Sequence, residues 1–401
     1  MGSVKKAFLF FTVILFAVNP FLAKANEASV APDSQDKEIK SYIEHHLQDD
    51  HYFSLYTDKE AGKTYGFSLP VILIDGGLKV FLSGAFDHGH AVVEKDGQYY
   101  ALHHGKIYKT DAEGTLNGYE YHKDETGKYI TLKDANGKEQ NQEFEASYKI
   151  NSHELHEAHD FHPTNAKALD FSITKNVLGL ILTAILLFWG FISLANTYKK
   201  GANNLPKGVG RVLEPLVLYV RDEMAIPNIG HRYKEFMPYL LSVFFLILVL
   251  NLLGLTPLGF NVTGNITITF CLAIFTFLFV NIKANKDYWK HIFWMPGVPV
   301  PFKVVLAPIE VLGMFTKPFS LMVRLFANIT AGHTVIMGLI AVVYLLQNQL
   351  TLGGSIGVSM LLTTFLMVIE LLVAFLQAFI FTMMSSLFIG MAVEEHNEAH
   401  H

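Results

Sequence analysis

One cysteine, Cys271, stands in a chain of 401 residues, and it falls inside an apolar run, so no intrachain disulfide can staple the fold. No Gly-rich phosphate loop occurs, which removes the expectation that the chain itself hydrolyses a nucleotide. Arginine is missing from residues 26–165, which carry 25 acidic and 13 basic side chains for a net of −12. Residues 166–401 carry 11 acidic and 15 basic ones for a net of +4, and long stretches of them hold no charge at all. These are two physically different parts. The second contains several runs near the ~20 apolar residues that cross a bilayer. The chain is therefore expected to be an integral membrane protein, all-α and polytopic over 166–401, with a small mainly-β extramembrane region at 26–165. Nothing in it points to nucleic acid.

Residues 1–25 read as a secretory signal peptide. Lys5 and Lys6 precede the apolar run Ala7 to Val18, and Ala23-Lys24-Ala25 has the small-x-small cleavage pattern; an uncleaved anchor helix is the alternative. Residues 26–165 then form a periplasmic extension. The turn signals Asp75-Gly-Gly, Asp96-Gly, Thr126-Gly-Lys and Asn136-Gly separate β-prone pieces such as Pro70-Val-Ile-Leu-Ile74, Lys79-Val-Phe-Leu82 and Tyr129-Ile-Thr-Leu132. That pattern predicts a few-stranded antiparallel meander, flanked by an amphipathic helix near Lys37 to His46. The region holds 12 of the 18 histidines, and His153, His156, His159 and His162 recur every third residue among acidic side chains. Metal binding, proton buffering and a solvated polar linker all fit that run, whose spacing drifts around a helix.

Membrane spans are predicted at about 176–197, 236–255, 266–282, 318–346 and 356–392. Lys199, Lys200, Lys207, Arg211, Arg221, Arg232 and Lys234 mark one inner loop, and Lys283, Lys286, Lys290 and Lys303 the next. By the positive-inside rule the tail Glu394 to His401 is then cytoplasmic, in a bacterial inner membrane with the N-terminal region outside. Gly208 to Met224 mixes apolar and charged positions at helical spacing and is expected along the inner surface. Residues 304–317, with a proline and Glu310, are too short to cross and are read as a partly inserted segment.

The last two spans carry very few polar residues. Folding them about the turn from Gln347 to Ser355 sets Arg324 beside Gln377 and His333 beside Glu370. Ionisable groups at membrane depth are costly and rare, so each is a functional hypothesis by default. Residues 355–392 would extend ~57 Å at about 1.5 Å per residue, against a hydrocarbon core of about 30 Å. The hairpin must tilt, bend or protrude. Upright, it leaves Arg324 at the inner surface as a snorkelling anchor; strongly tilted, it holds Arg324 near mid-membrane.

The stretch Lys317-Pro-Phe-Ser-Leu-Met-Val-Arg324-Leu-Phe-Ala-Asn328 with Ala331-Gly332, then Leu376-Gln377-Ala-Phe-Ile-Phe381 and Ala392-Val-Glu-Glu-His396, resembles subunit a of the F-type ATP synthases. Milder similarity extends over about 166–396, including Asn251-Leu-Leu-Gly-Leu-Thr-Pro257 and Glu310. The resemblance implies a steeply inclined hairpin, which accounts for its excess length. It implies that Arg324 faces the essential carboxylate of a rotor ring of hairpin subunits, that Gln377 orients Arg324, and that Asn328 lines the polar interface. It assigns His333 and Glu370 to an outer half-channel for protons and Glu310 to an inner one. Asn251 either contributes to the outer path or packs helices. The same resemblance implies a peripheral-stalk subunit, the remainder of the F-type ATP synthase and the lipid bilayer as partners. It implies a non-catalytic subunit without cofactor or metal. Two departures are visible: relatives often carry the His and Glu in swapped order, and Gly254 stands where many have a polar residue. The alternative function is a self-contained ion or solute transporter, although no internal repeat supports it. A scaffold with a periplasmic sensor is a third reading, which leaves the matched polar quartet unexplained.

Overall fold

The computed structural model describes residues 49–393 except 59–62, 123–128, 134–138, 153–154, 156–160, 200–207, 257–259, 261, 295–298 and 348–351. For 54–58, 63–64, 132–133, 139–140, 300, 328–347, 352–356 and 359 it describes the backbone alone. The signal, the helix near Lys37 to His46, two of the four turn signals, three of the four spaced histidines and the tail after Val393 lie outside the described residues. The chain divides near residue 178 into two compact units.

The first unit is built of short antiparallel strands: β1 (Tyr52–Asp58), β2 (Lys63–Ser68), β3 (Pro70–Ile74), β4 (Leu78–Leu82), β5 (Val93–Lys95), β6 (Gln98–His103) and β7 (Lys106–Thr110). It continues with β8 (Thr115–Tyr121), β9 (Thr131–Lys133), β10 (Glu139–Asn141), β11 (Glu143–Lys149), β12 (Phe161–Pro163) and β13 (Leu169–Asp170). Asp96-Gly97 and His104-Gly105 close the β5–β6 and β6–β7 hairpins with positive φ at both residues, the mirror-image turn that matches strand twist. Among the described residues, only β5-β6-β7 is a meander of three consecutive strands. β12 and β13 come back from the far end of the unit to flank β8 and β3, a pairing that local turn chemistry does not encode.

In the β13-β3-β4 sheet, Val71, Leu73 and Phe81 face a core completed by Phe86, Tyr100, Leu102 and Ile107. The opposite face is apolar in every cross-strand row. Leu169, Ile74 and Leu78 form one row. Phe171, Ile72 and Val80 form the next, joined by Phe171 N–H donating to Ile72 O at 2.9 Å. Ile173, Pro70 and Leu82 form the third, joined by Ile173 N–H donating to Pro70 O at 3.0 Å. Where this strand ends, α1 (Lys175–Lys199) begins. Its first turn is capped from far away in sequence: Asp49 accepts from the Asn176 N–H at 3.0 Å and from the Thr174 hydroxyl at 3.0 Å. His51 Nε2 meets Asp170 Oδ2 at 2.9 Å beside it.

The second unit continues from α1 through α2 (Gly210–Tyr219), α3 (Tyr233–Gly254), α4 (Ile266–Lys283), α5 (Lys286–Phe293), α6 (Val300–Gln347) and α7 (Leu352–Val393). Among the described residues, five helical stretches are long and apolar enough to cross a membrane, and the chain is a polytopic membrane protein. Phe236, Leu240, Phe244, Phe245 and Ile247 of α3 pack with Leu321 and Leu325 of α6 and with Ala378, Phe381 and Ile389 of α7 in one buried cluster.

Two expectations change. Residues 304–317 are not a separate segment, because α6 runs unbroken from Val300 to Gln347 with Pro308 and Pro318 inside it. A proline deletes one backbone hydrogen bond without forbidding helical φ, and packing on neighbouring helices holds such a site in a membrane; Pro318 is buried. Gly208 to Met224 is also more than a surface helix: after α2 the path widens into a π-helical stretch over Val220–Ala225, and Val220, Met224 and Ala225 are wholly buried.

Candidate functional site

On α6 and α7 the polar side chains recur at seven-residue spacing, Glu310, Lys317 and Arg324 on one and Glu370 and Gln377 on the other. Seven residues are nearly two turns, so each series lies along one face of its helix. That face is the inward one. Pro318, Leu321, Met322 and Leu325 are buried around Arg324, which is itself partly buried, whereas Ile309, Leu312, Phe319 and Val323 are exposed. On α7, Ala374, Gln377, Ala378 and Phe381 are buried while Leu372 is exposed. Glu310 is partly buried and lies about 21 Å from Arg324 along the helix at 1.5 Å per residue.

Arg324 makes no ion pair with any carboxylate among the described residues. Gln377 Nε2 and Glu370 Oε2 are buried without a partner among them too. Burying a polar atom unpaired is expensive, so these two atoms mark positions where a polar neighbour belongs. The helices that carry Arg324 and Gln377 pack together, and the neighbouring Leu325 and Ala378 belong to one buried cluster. The side chains of Asn328 and His333 lie outside the described residues, so the expected His333–Glu370 pairing rests on helix register.

Asn251 is fully engaged. Its Nδ2 donates to the Ala374 carbonyl at 3.3 Å, and its Oδ1 accepts from the Thr263 hydroxyl at 3.1 Å. It thereby ties α3 and the turn before α4 to α7 at a point between Glu370 and Gln377. Its sequence signals were a polar side chain inside an apolar span and its place in the stretch Asn251-Leu-Leu-Gly-Leu-Thr-Pro257.

Sequence reasoning missed a polar niche at the other end. Thr276 and Asn281 of α4, Tyr288 of α5, Lys317 and Met314 of α6 and Phe388 of α7 surround a cavity of about 20 Å³, the size of one water molecule. Asn281 Oδ1 is buried without a partner among the described residues, while its Nδ2 donates to the Phe277 carbonyl at 2.7 Å. Lys317 Nζ lies 5.3 Å from the Phe388 ring centre. Burial raises the Tyr288 phenol above its ordinary pKa, and the negative charge of Glu310 adds to the shift. Glu310 therefore acts electrostatically on this niche. The seven-residue step from Glu310 through Lys317 to Arg324 was visible in the sequence; the contributions of Asn281 and Tyr288 were not, because they come from other helices.

The C-terminal end of α7 is held by asparagines. Asn285 donates from its backbone to the Ala392 carbonyl at 2.8 Å and from Nδ2 to the Val393 carbonyl at 2.9 Å. Asn228 Nδ2 donates to Ser386 Oγ at 2.9 Å.

Residues 177–390 match the family model described as ATP synthase A chain, and residues 42–130 match that of a domain of unknown function. Among curated relatives, ATP synthase subunit a 2 of Chlorobaculum tepidum is 45% identical over 237 residues, covering 58% of this chain and 66% of the relative. ATP synthase subunit a of Chloroherpeton thalassium is 43% identical over 238 residues, covering 58% and 70%. That of Anaeromyxobacter dehalogenans is 43% identical over 242 residues, covering 58% and 60%. The chain thus spans 60–70% of the length of these three relatives.

Proposed function

This chain belongs to the ATP synthase A chain family, and from that premise we propose that it is the stationary proton-conducting subunit of the membrane sector, with Arg324 as the gate between two half-channels. The observation that supports the reading is the pair of polar series, Glu310, Lys317 and Arg324 on α6 and Glu370 and Gln377 on α7, on the inward faces of two helices that pack together. A guanidinium does not deprotonate in a protein, so Arg324 cannot relay protons. It attracts a carboxylate on a passing rotor subunit once that group has lost its proton, and its fixed charge blocks a direct leak. Protons then cross only by riding the rotor. Each charge carried through the potential yields about 2.3 kcal/mol per 100 mV.

Glu370 with His333 serves the outer half-channel: an imidazole titrates near neutrality and a neighbouring carboxylate can exchange its proton. The buried, unpaired Oε2 of Glu370 supports such a partner. Gln377 orients Arg324, Asn328 lines the interface one turn further, and Asn251 holds the backbone between Glu370 and Gln377. Glu310 serves the inner half-channel together with the niche at Asn281, Tyr288 and Lys317. The partners are the rotor ring and a peripheral stalk, with a soluble head doing the chemistry, so this chain is not itself catalytic. The positive loops put the C-terminus in the cytoplasm of an inner membrane.

Arg324→Ala in membranes with the native partners tests the gate. Proton-driven ATP synthesis is expected to be lost while the complex still assembles; unaltered coupling would overturn the assignment.

A further inference from the structure

A sheet closing one side of a small domain ordinarily alternates, apolar inward and polar outward. The β13-β3-β4 sheet does not. Its inward face packs on the core of the extension, yet on its outward face Leu78, Val80, Leu82, Leu169 and Phe171 are 50–69% exposed. Continuous apolar runs such as Pro70-Val-Ile-Leu-Ile74 are the pattern of strands covered on both sides. An exposed apolar patch of this extent marks an interaction surface.

The chain path identifies the partner. Backbone hydrogen bonds continue the pairing of β13 as far as Ile173, two residues before α1 begins at Lys175. At about 3.3 Å per residue, the nearest apolar row is ~7 Å of chain from the first residue of that helix, and the farthest ~20 Å. The headgroup layer on one side of a bilayer is roughly 5–8 Å thick. One edge of an uncharged face is thus tethered at the level where hydrocarbon begins. The extension around it has a net charge of −12, which disfavours an acidic surface and leaves apolar burial as the driving force.

We propose that this face docks on the outer surface of the bilayer, with Leu78, Val80, Leu82, Leu169 and Phe171 in the interfacial layer of zwitterionic lipid. The contact lies outside the proton path and does not depend on it. A spin label at Val80 or Leu169 (Val80→Cys or Leu169→Cys, each with Cys271→Ser) in the full chain, reconstituted in phosphatidylcholine nanodiscs, reads it. A label at the exposed Glu145 (Glu145→Cys) is the aqueous reference. Collision with oxygen relative to a water-soluble nickel chelate is expected to be several-fold higher at Val80 and Leu169 than at Glu145. Equal chelate access at all three sites overturns the proposal. Protection of Val80 from both reagents also overturns it, since a protein would then be the occupant. Val80→Glu should return the Leu169 label to chelate access, and an unchanged lipid signal there would equally count against docking.

Discussion

Three polar side chains in the membrane unit differ in whether their buried atoms are hydrogen-bonded. Asn251 has donor and acceptor both satisfied, between α3, α7 and Thr263. Glu370 and Gln377 each keep a buried atom free among the described residues. A satisfied amide holds helices; an unsatisfied carboxylate is available for transfer. Asn251→Ala should therefore lower the melting temperature by stranding the Thr263 hydroxyl and the Ala374 carbonyl, a loss of about 1–3 kcal/mol. Glu370→Gln should instead slow passive proton conduction in head-stripped vesicles while leaving the melting temperature in place. A poorly conducting Asn251→Ala of normal stability would make Asn251 a channel residue. The candidate set Arg324, Gln377, His333 and Glu370 was legible in the sequence as polar groups standing out in apolar spans, and its pairing is an expectation from register. Asn281 and Tyr288 were not, because their significance comes from contact with α6 and α7.

At the scale of helices, α6 and α7 have 48 and 42 residues, about 72 and 63 Å at 1.5 Å per residue, twice the ~30 Å hydrocarbon core. Helices of this length must tilt, bend or protrude, and on the function proposed above inclination is what holds Arg324 near mid-membrane. The close approach of α7 to the turn after α2 depends on one glycine. A Cβ at Gly390 would overlap the Asn228 carbonyl, whereas one at Gly313 meets nothing within 4 Å. Gly390→Ala should push α7 off Asn228 and lower the yield of assembled protein. Gly313→Ala should be tolerated and gain up to about 1 kcal/mol of helix propensity. Thermal denaturation of the two variants in detergent checks the contrast. Pro308 and Pro318 both lie inside α6 although proline usually ends a helix, and Pro318 is buried there.

For the molecule as a whole, acid acts on the extension through carboxylates whose pKa values are shifted in opposite directions. Hydrogen bonds from Lys109 at 2.6 Å and Tyr100 at 2.8 Å hold Asp75 below its ordinary range. Burial pulls Asp170 upward, but bonds from His51 and Ser172 outweigh it and leave it lowered. Burial raises Asp49 despite its bonds to Asn176 and Thr174. A lowered carboxylate adds stability above its unfolded value near 3.9 that disappears as pH falls through the native one; a raised carboxylate works the other way. Hydrogen-exchange protection in β3 and β13 of the full chain should therefore decline once pH drops below about 4. Asp75→Asn should flatten that decline. Burial and the Asp75 bond push Tyr100 up to about 12, so its contribution holds up to about pH 10 and is lost as pH rises toward its native value. An acid limb unchanged in Asp75→Asn would remove Asp75 from the account.

Composition, hydropathy and spacing alone determined that this chain has an acidic strand-built extension, a membrane unit of five long apolar helices and a small polar set on its last two, because those signals are carried by neighbouring residues. Tertiary structure alone decided that Asn251 is tied to Ala374, that Asp49 caps a helix starting at Lys175, that Pro318 sits inside α6, and that one sheet face is left bare. Each depends on groups far apart along the chain meeting in space, and local preference says nothing about which of them will meet.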